Sequence, residues 1–407
     1  MLITIYDARK LILSGQCLLN KAENQVVQVV SDLAGIQYDP CPILHLNHYL
    51  VLWSRVPGFK SAEYDRIAYD EGKLVEANLF KRNLFIAPAC ELGIYNTATE
   101  RIVRWGSARE QQKCERQNKG LPAEEETIRR AFHEMCSCTK HGLWEHLGLA
   151  GEWNAYTEGR KQGLEDTYLP IFRVFFDMRM TNDIIVCDRL PGTFREPVFA
   201  LRENLPNEKS AATEMAYADV VEAVLFKLIC SFGITDITHM KSITGLSTAD
   251  ISLAMAALRV KGLITDINVE GLKKTYVAAN KSLAVLQQHG ATNTDEVTLL
   301  SPMEGIIRDK RWLNTFFSYS FSFEYFKKKG MKWPLSILSR NEMAGFVDCA
   351  FDRKKKRLIV KEIDIQKEAA VDKDELYHSL CSLAQFHDAE ELVILGSKYH
   401  GYANEAT

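Results

Sequence analysis

The chain has 407 residues, 46% of them hydrophobic and 25% charged, with a formal net charge of −3 at pH 7. That length exceeds one ordinary core and predicts two to four domains of a soluble globular protein, and so balanced a charge excludes a uniformly basic nucleic-acid binder. No stretch approaches the roughly 18 uninterrupted apolar residues of a membrane span, and the opening "MLITIYDARK" lacks the charged, apolar and small-residue regions of a secretory signal, so no membrane partner and a cytoplasmic location are expected.

From the amino end, "TIYDARKLILSG", "NQVVQVVSDLAG" and "SAEYDRIAYDEGK" read as helices ahead of the strand-like "LFKRNLFIAP". Between the second and third lies "GIQYDPCP", residues 35–42. In an extended segment residues i and i+2 point to the same side. Gln37 and Asp39 therefore share one face, and Tyr38 turns to the other as core or backbone support. An amide beside a carboxylate can hold one water between a positioning group and a proton acceptor. The pair suits a turn equally well, with Asp39 capping a helix after Pro40 and Gln37 bonded to a nearby turn.

His45 and His48 belong to no complete catalytic constellation. Tyr49 and Trp53, at helical spacing, are expected to face the core. Arg55, Lys81 and Arg82 lie on segments that can face a phosphate backbone, and a solvated face is the alternative for each.

A second unit follows. "TIRRAFHEMCSCTKHGLWEHLGL" gives two short helices, "DTYLPIFRVFFDMRM" a third, and "DIIVCDRLPGTFREPVFAL" two strands around the turn-forming Pro191 and Gly192. The ten cysteines are scattered without the framework of a small secreted scaffold, so reduced thiols are expected. The one set that resembles metal ligands is "HEMCSCTKH", with His133, Cys136, Cys138 and His141. Cys-x-Cys is a poor chelate for tetrahedral zinc beside Cys-x-x-Cys, so the expectation is no metal and a buried helix end.

Residues 236–278 carry the clearest architectural signal. A short helix ends near Gly245, Ser247 or Thr248 caps the next, and Asp250 sits in its first turn. Ile251, Ala254, Met255 and Leu258 recur at helical spacing, and Gly262 suits the stop. Two strand-like runs, "LITDINV" and "KKTYVA", complete the order helix, turn, helix, hairpin of a winged helix.

Beyond residue 295 the pattern turns to short β-favouring runs, "LSIL", "GFVDCAFD" and "RLIVKEI", with "DKDELYHSLCSLAQFHD" as a helix packed upon them. Charge is segregated here. Residues 301–361 hold 14 Lys and Arg against 6 Asp and Glu, and residues 362–407 hold 3 against 10. The basic "DRKKKR" offers Lys354, Lys355, Lys356 and Arg357 to a polyanion, or to water as an ordinary solvated turn.

These fragments resemble the AlkZ/YcaQ family of DNA glycosylases, also described as helix-turn-helix family 42. "ARKLILSGQCLL", "LAGIQYDP" and "HYLVLWSRV" are similar to its amino-terminal pattern, and "LFKRNLFIAP" to its first wing. "LLSPMEGIIRDKRW" and "GFVDCAFDRKKKRLIVKEI" are similar to two later stretches. Leu46 stands near a common family arginine, "PME" with Met303 replaces the usual "PFD", and Phe346 stands where an arginine is common.

The resemblance implies an α+β chain of three tandem winged-helix units, at 1–110, 120–205 and 210–290, with a C-terminal β-barrel-like module at 295–407. It also implies that Gln37-Tyr38-Asp39 is the catalytic motif of a monofunctional glycosylase acting on alkylated purines in double-stranded DNA, some members also unhooking interstrand crosslinks. An alkylated purine is cationic and already a good leaving group. The enzyme has only to stabilise an oxocarbenium-like sugar and deliver water, tasks that suit Asp39, with Gln37 positioning the water. No cofactor is expected, and a monomer is. The competing class is a noncatalytic winged-helix regulator or damage binder; a nuclease is disfavoured because no two-metal carboxylate cluster is evident.

Overall fold

The computed structural model describes residues 1–40, 43–96, 122–161, 169–190, 195–204, 215–287, 296–320, 333–366 and 371–395. At the amino end, β1 (Leu2–Ile3) leads into a helix, Ile5–Gly15, that starts at Thr4 because Thr4 and Asp7 cap each other reciprocally, each backbone N–H donating to the other side chain at 3.1 Å. A second helix, Val26–Asp32, ends where Ala34 and Gly35 adopt positive φ and the Gly35 N–H bonds back to the Val30 carbonyl. This left-handed stop releases the chain into β2 (Ile36–Gln37), ahead of the helix Asn47–Trp53.

The chain divides into two compact units. One comprises Met1–Tyr64, Leu225–His239 and Met255–Thr407; the other comprises Asp65–Val224 and Met240–Ala254. In the second unit the strands are β3 (Leu74–Asn78), β4 (Leu84–Pro88), β5 (Ser137–Thr139), β6 (Ile184–Arg189) and β7 (Pro197–Leu201). They run in the order β4, β3, β6, β7, β5, every neighbouring pair antiparallel. Phe132, Trp144, Phe172, Phe175 and Phe199 form the core between this sheet and the helices Pro122–Met135, Lys140–His146 and Pro170–Met180. A buried bidentate pair, Arg189 to Glu76 at 2.6 and 2.7 Å, ties β6 to β3. The expected turn at Pro191 and Gly192 lies outside the described residues.

Residues 236–278 follow the expected order of helix, turn, helix and hairpin, behind one further helix. Helices Tyr217–Phe232, Ile237–Thr244 and Thr248–Val260 precede a hairpin of β8 (Ile264–Val269) and β9 (Thr275–Ala279). Gly245 and Gly262 both take positive φ, and Ser247 Oγ accepts from the Asp250 N–H at 3.0 Å. β1 adds to β8 in parallel. The helix Ile5–Gly15 meets the end of Tyr217–Phe232 backbone to backbone. A Cβ on Gly233, whose φ is +69°, would lie 2.0 Å from the Leu11 carbonyl oxygen, so only glycine fits.

The C-terminal strands are β10 (Thr298–Leu300), β11 (Pro334–Ser339), β12 (Glu342–Asp352), β13 (Arg357–Ile365) and β14 (Glu391–Ile394), hydrogen-bonded in that order. The first three junctions are antiparallel and the last is parallel. The barrel-like expectation is corrected here: β10 and β14 are the two edges of an open five-stranded sheet among the described residues. Helix Lys373–Phe386, capped by Asp372, lays Leu376, Leu380 and Leu383 on that sheet. Leu44 and Leu50 join the same core, so the segment that follows Asp39 is packed against the C-terminal sheet.

Candidate active site

Gln37 ends β2 and Asp39 follows two residues later, with the alternation expected of extended chain. Tyr38 is buried and stacks on His48, ring centroids 5.0 Å apart at 24°, whereas Gln37 and Asp39 are each half-buried. Gln37 Oε1 is buried and accepts no hydrogen bond from the described residues. An acceptor left unmet costs about 1–3 kcal/mol, so this atom is disposed to take a donor from water or substrate. Asp39 caps no helix among the described residues, because the next one begins at Asn47 with Leu46 as its N-cap.

The motif is held from behind by a continuous hydrogen-bond path. Asn47 Nδ2 donates to the Gln37 carbonyl at 2.8 Å, and Asn47 Oδ1 accepts from Ser301 Oγ at 2.7 Å. The Ser301 N–H donates to Glu304 Oε1 at 3.0 Å, and Glu304 Oε2 accepts from Arg55 Nη2 at 2.7 Å. Arg55 also donates to the Gln16 carbonyl and to Ser54 Oγ. Asn47, Ser301, Glu304 and Arg55 are all buried. The "LLSPMEG" stretch thus works as a brace for the "GIQYDP" stretch.

Arg55 is corrected by this geometry. Its guanidinium is 1% exposed and satisfied by protein acceptors, so it braces the site and is not presented to a phosphate. Leu46 is buried. The other expected cations divide. Lys81 is exposed at the 3-10 turn Phe80–Arg82 between β3 and β4, and the Arg82 side chain lies outside the described residues. At the tip joining β12 to β13, Lys354 and Lys355 are exposed, and their backbone N–H groups bond to Asp352 Oδ1. Lys356 pairs with Glu390 at 2.6 Å and Arg357 with Glu391 at 2.5 Å. The hydrogen bond to Glu390 pushes the Lys356 pKa up. Beside this tip, Arg353 Nη2 lies 3.4 Å from the Leu44 carbonyl, which joins the hairpin to the chain just beyond Asp39.

A cation that sequence reasoning missed stands nearer the motif. Arg308 ends the single-turn helix Gly305–Arg308, which Glu304 begins. Desolvation lowers its pKa, and the charge of Asp39 opposes that lowering. The residue is still exposed, so the guanidinium stays protonated. Asn47, Ser301 and Glu304 were missed as well. Only the shared family stretch around residue 301 signalled the last two.

The remaining candidates fall elsewhere. His48 is in the core, packed on Tyr49 and Tyr64, and His45 Nδ1 accepts from the Leu46 N–H at 2.9 Å. Tyr49 is buried, and half-buried Trp53 stacks on Phe386. In the Cys/His cluster, His133 faces Glu203 and His141 faces Glu145, while Cys138 is buried in the strand β5.

Comparison with known proteins adds an independent finding. The family described as DNA glycosylase AlkZ-like matches residues 30–386. Curated proteins yield no match. Among solved structures, the Streptomyces sahachiroi DNA glycosylase AlkZ is similar with a TM-score of 0.65 at 13% identity, over 97% of this chain and 100% of that one. At that identity the likeness speaks for the fold.

Proposed function

Because the chain belongs to the AlkZ-like DNA glycosylase family, we propose that it hydrolyses the N-glycosidic bond of alkylated purines in double-stranded DNA, and that interstrand crosslinks are among its substrates. Asp39 faces the sugar. Its charge stabilises the developing oxocarbenium ion, and its oxygen takes a proton from the attacking water. Gln37 accepts a hydrogen bond from that water through Oε1 and remains neutral. The base leaves without protonation, since alkylation on a ring nitrogen has already made it cationic.

The observation that carries this reading is the pairing of a buried acceptor lacking a donor among the described residues, Gln37 Oε1, with a half-buried carboxylate on the same side of one extended segment. A turn explains two polar groups at alternate positions but not the unmet acceptor that one of them carries. The three helix-and-hairpin units serve as winged helices on the DNA, in the divisions 1–110, 120–205 and 210–290, with 295–407 as a C-terminal module. Lys81, Arg82, Lys354 and Lys355 supply phosphate contacts. The protein acts as a cytoplasmic monomer.

The test is incubation of purified protein with duplex DNA carrying a cationic methylpurine and, separately, a nitrogen-mustard crosslink. Free base and abasic sites are expected from both. Tight binding to a defined sequence with no base release from either substrate would favour a regulator instead.

A further inference from the structure

We infer that Arg308 is a phosphate clamp: its guanidinium binds a phosphate flanking the damaged nucleotide and so seats that nucleotide's sugar against Asp39. The inference rests on the proposed reading of Asp39 and adds a substrate contact to it.

The placement of Arg308 is set by its neighbours. Ile306 and Ile307 are buried, which leaves Arg308 as the exposed end of a single helical turn. The start of that turn is fixed. Glu304 holds Arg55 and the Ser301 N–H, Ser301 holds Asn47, and Asn47 holds the carbonyl of Gln37. The Arg308 N–H closes the turn on the Glu304 carbonyl at 2.9 Å. Its backbone is therefore joined to the Gln37 segment through a chain of hydrogen bonds, and its guanidinium lies within the field of the Asp39 carboxylate. Beyond Asp309, Lys310 and Arg311 are exposed too.

A bare carboxylate at this position would repel the DNA backbone it has to approach. A guanidinium beside it cancels that repulsion. A charge attraction still open to water is worth little, whereas a guanidinium presents a planar fork that fits two phosphate oxygens at once. When DNA arrives, Arg308 engages the phosphate. The charge of Asp39 is then directed at the sugar on which positive charge develops. One residue thus serves both approach and alignment.

The experiment replaces single phosphates by neutral methylphosphonates, one linkage at a time on either side of a cationic methylpurine, and measures single-turnover excision. With wild-type protein, one flanking methylphosphonate should slow excision by about 10- to 100-fold, the range of a charge-assisted hydrogen bond. Arg308→Gln should lose a similar factor on all-phosphate DNA and lose nothing further from that methylphosphonate. Arg308→Lys, which keeps the charge without the fork, should fall between the two. Wild-type speed for Arg308→Gln, or losses that multiply, would overturn the clamp. Thermal melting of both variants separates misfolding from lost contact. If wild-type protein releases no base at all, the proposed reaction fails. The clamp is then read from affinity for duplex DNA with a tetrahydrofuran abasic analogue, where the same methylphosphonate should weaken wild-type binding and leave Arg308→Gln unaffected; equal weakening of both would overturn it.

Discussion

Asn47 donates its side-chain amide to the backbone carbonyl of Gln37 while accepting from Ser301, and it is fully buried in doing so. The Gln37 segment is therefore positioned through its backbone, from a helix on one side and a loop far along the chain on the other. Asn47→Ala should cost about 1–3 kcal/mol of stability by leaving buried groups unmet. It should also slow excision about tenfold while DNA affinity changes little. Ser301→Ala should behave alike, and the double variant should be no worse than the weaker single. Additive losses, from rates measured beside urea melts, would show that the two residues do not act on Gln37 together.

Arg55 gives a second prediction, which separates support from DNA contact. Removing one partner of a buried ion pair costs about 3–5 kcal/mol because the other charge is left uncompensated. Arg55→Met should lower stability by that order through the stranded Glu304. At a temperature where the variant is folded, the salt dependence of its DNA binding should match wild type. A shallower salt slope would return Arg55 to the phosphate-contacting set.

The hairpin tip offers the opposite profile. Lys354 and Lys355 are exposed, with no ion pair among the described residues, while Lys356 is engaged with Glu390. Replacing Lys354, Lys355 and Lys356 together by alanine should weaken binding to all sequences and flatten the plot of log affinity against log salt, by about 0.9 per lost phosphate contact. Melting temperature should hardly move. An unchanged slope would make the tip an ordinary solvated turn.

How much of this was legible beforehand depended on how local its causes are. The boundaries around Gly245, Ser247 and Gly262 were readable because each is set by a residue's own backbone preference or by a bond within a turn. The open C-terminal sheet was not, because closure or its absence depends on whether strands nearly a hundred residues apart meet. Gln37 and Asp39 were visible as a pair with a shared face. Their support was not: Ser301 lies 254 positions from Asn47, and Glu304 lies 249 from Arg55. A charged residue carries no mark of burial, so Arg55 read as a surface cation until its partner was in place.

Two buried imidazoles predict how stability responds to acid. Burial pulls the His239 pKa down to about 4 against the opposing charges of Asp309 and Asp236, with Arg311 adding to the lowering. It pulls His387 down to about 3, helped by His45 and Arg353. Both folded values lie below the unfolded value of about 6.5, so the unfolded chain binds more protons as pH falls. Their contribution is complete above pH 6.5 and is lost on acidification towards pH 4, at about 1.4 kcal/mol per pH unit for each ring. Urea unfolding at pH 7.5, 6 and 5 should show that decline. His387→Phe, which cannot take up the proton, should remove part of it. Stability that stays flat between pH 7.5 and 5 would contradict the assignment of both rings as neutral in the fold.

The most direct test of the catalytic reading is single-turnover release of a cationic methylpurine by Asp39→Asn, measured beside affinity for undamaged DNA and thermal stability. The substitution keeps the side chain's shape and removes both the charge proposed to face the oxocarbenium ion and the oxygen proposed to take the water's proton. Excision should fall on the order of 10²-fold or more, with affinity and melting temperature close to wild type. Gln37→Ala should slow excision less, because Asp39 remains. Excision by Asp39→Asn at the wild-type rate, or a loss explained by unfolding alone, would mean that the pair is a structural turn and that the chemistry lies elsewhere.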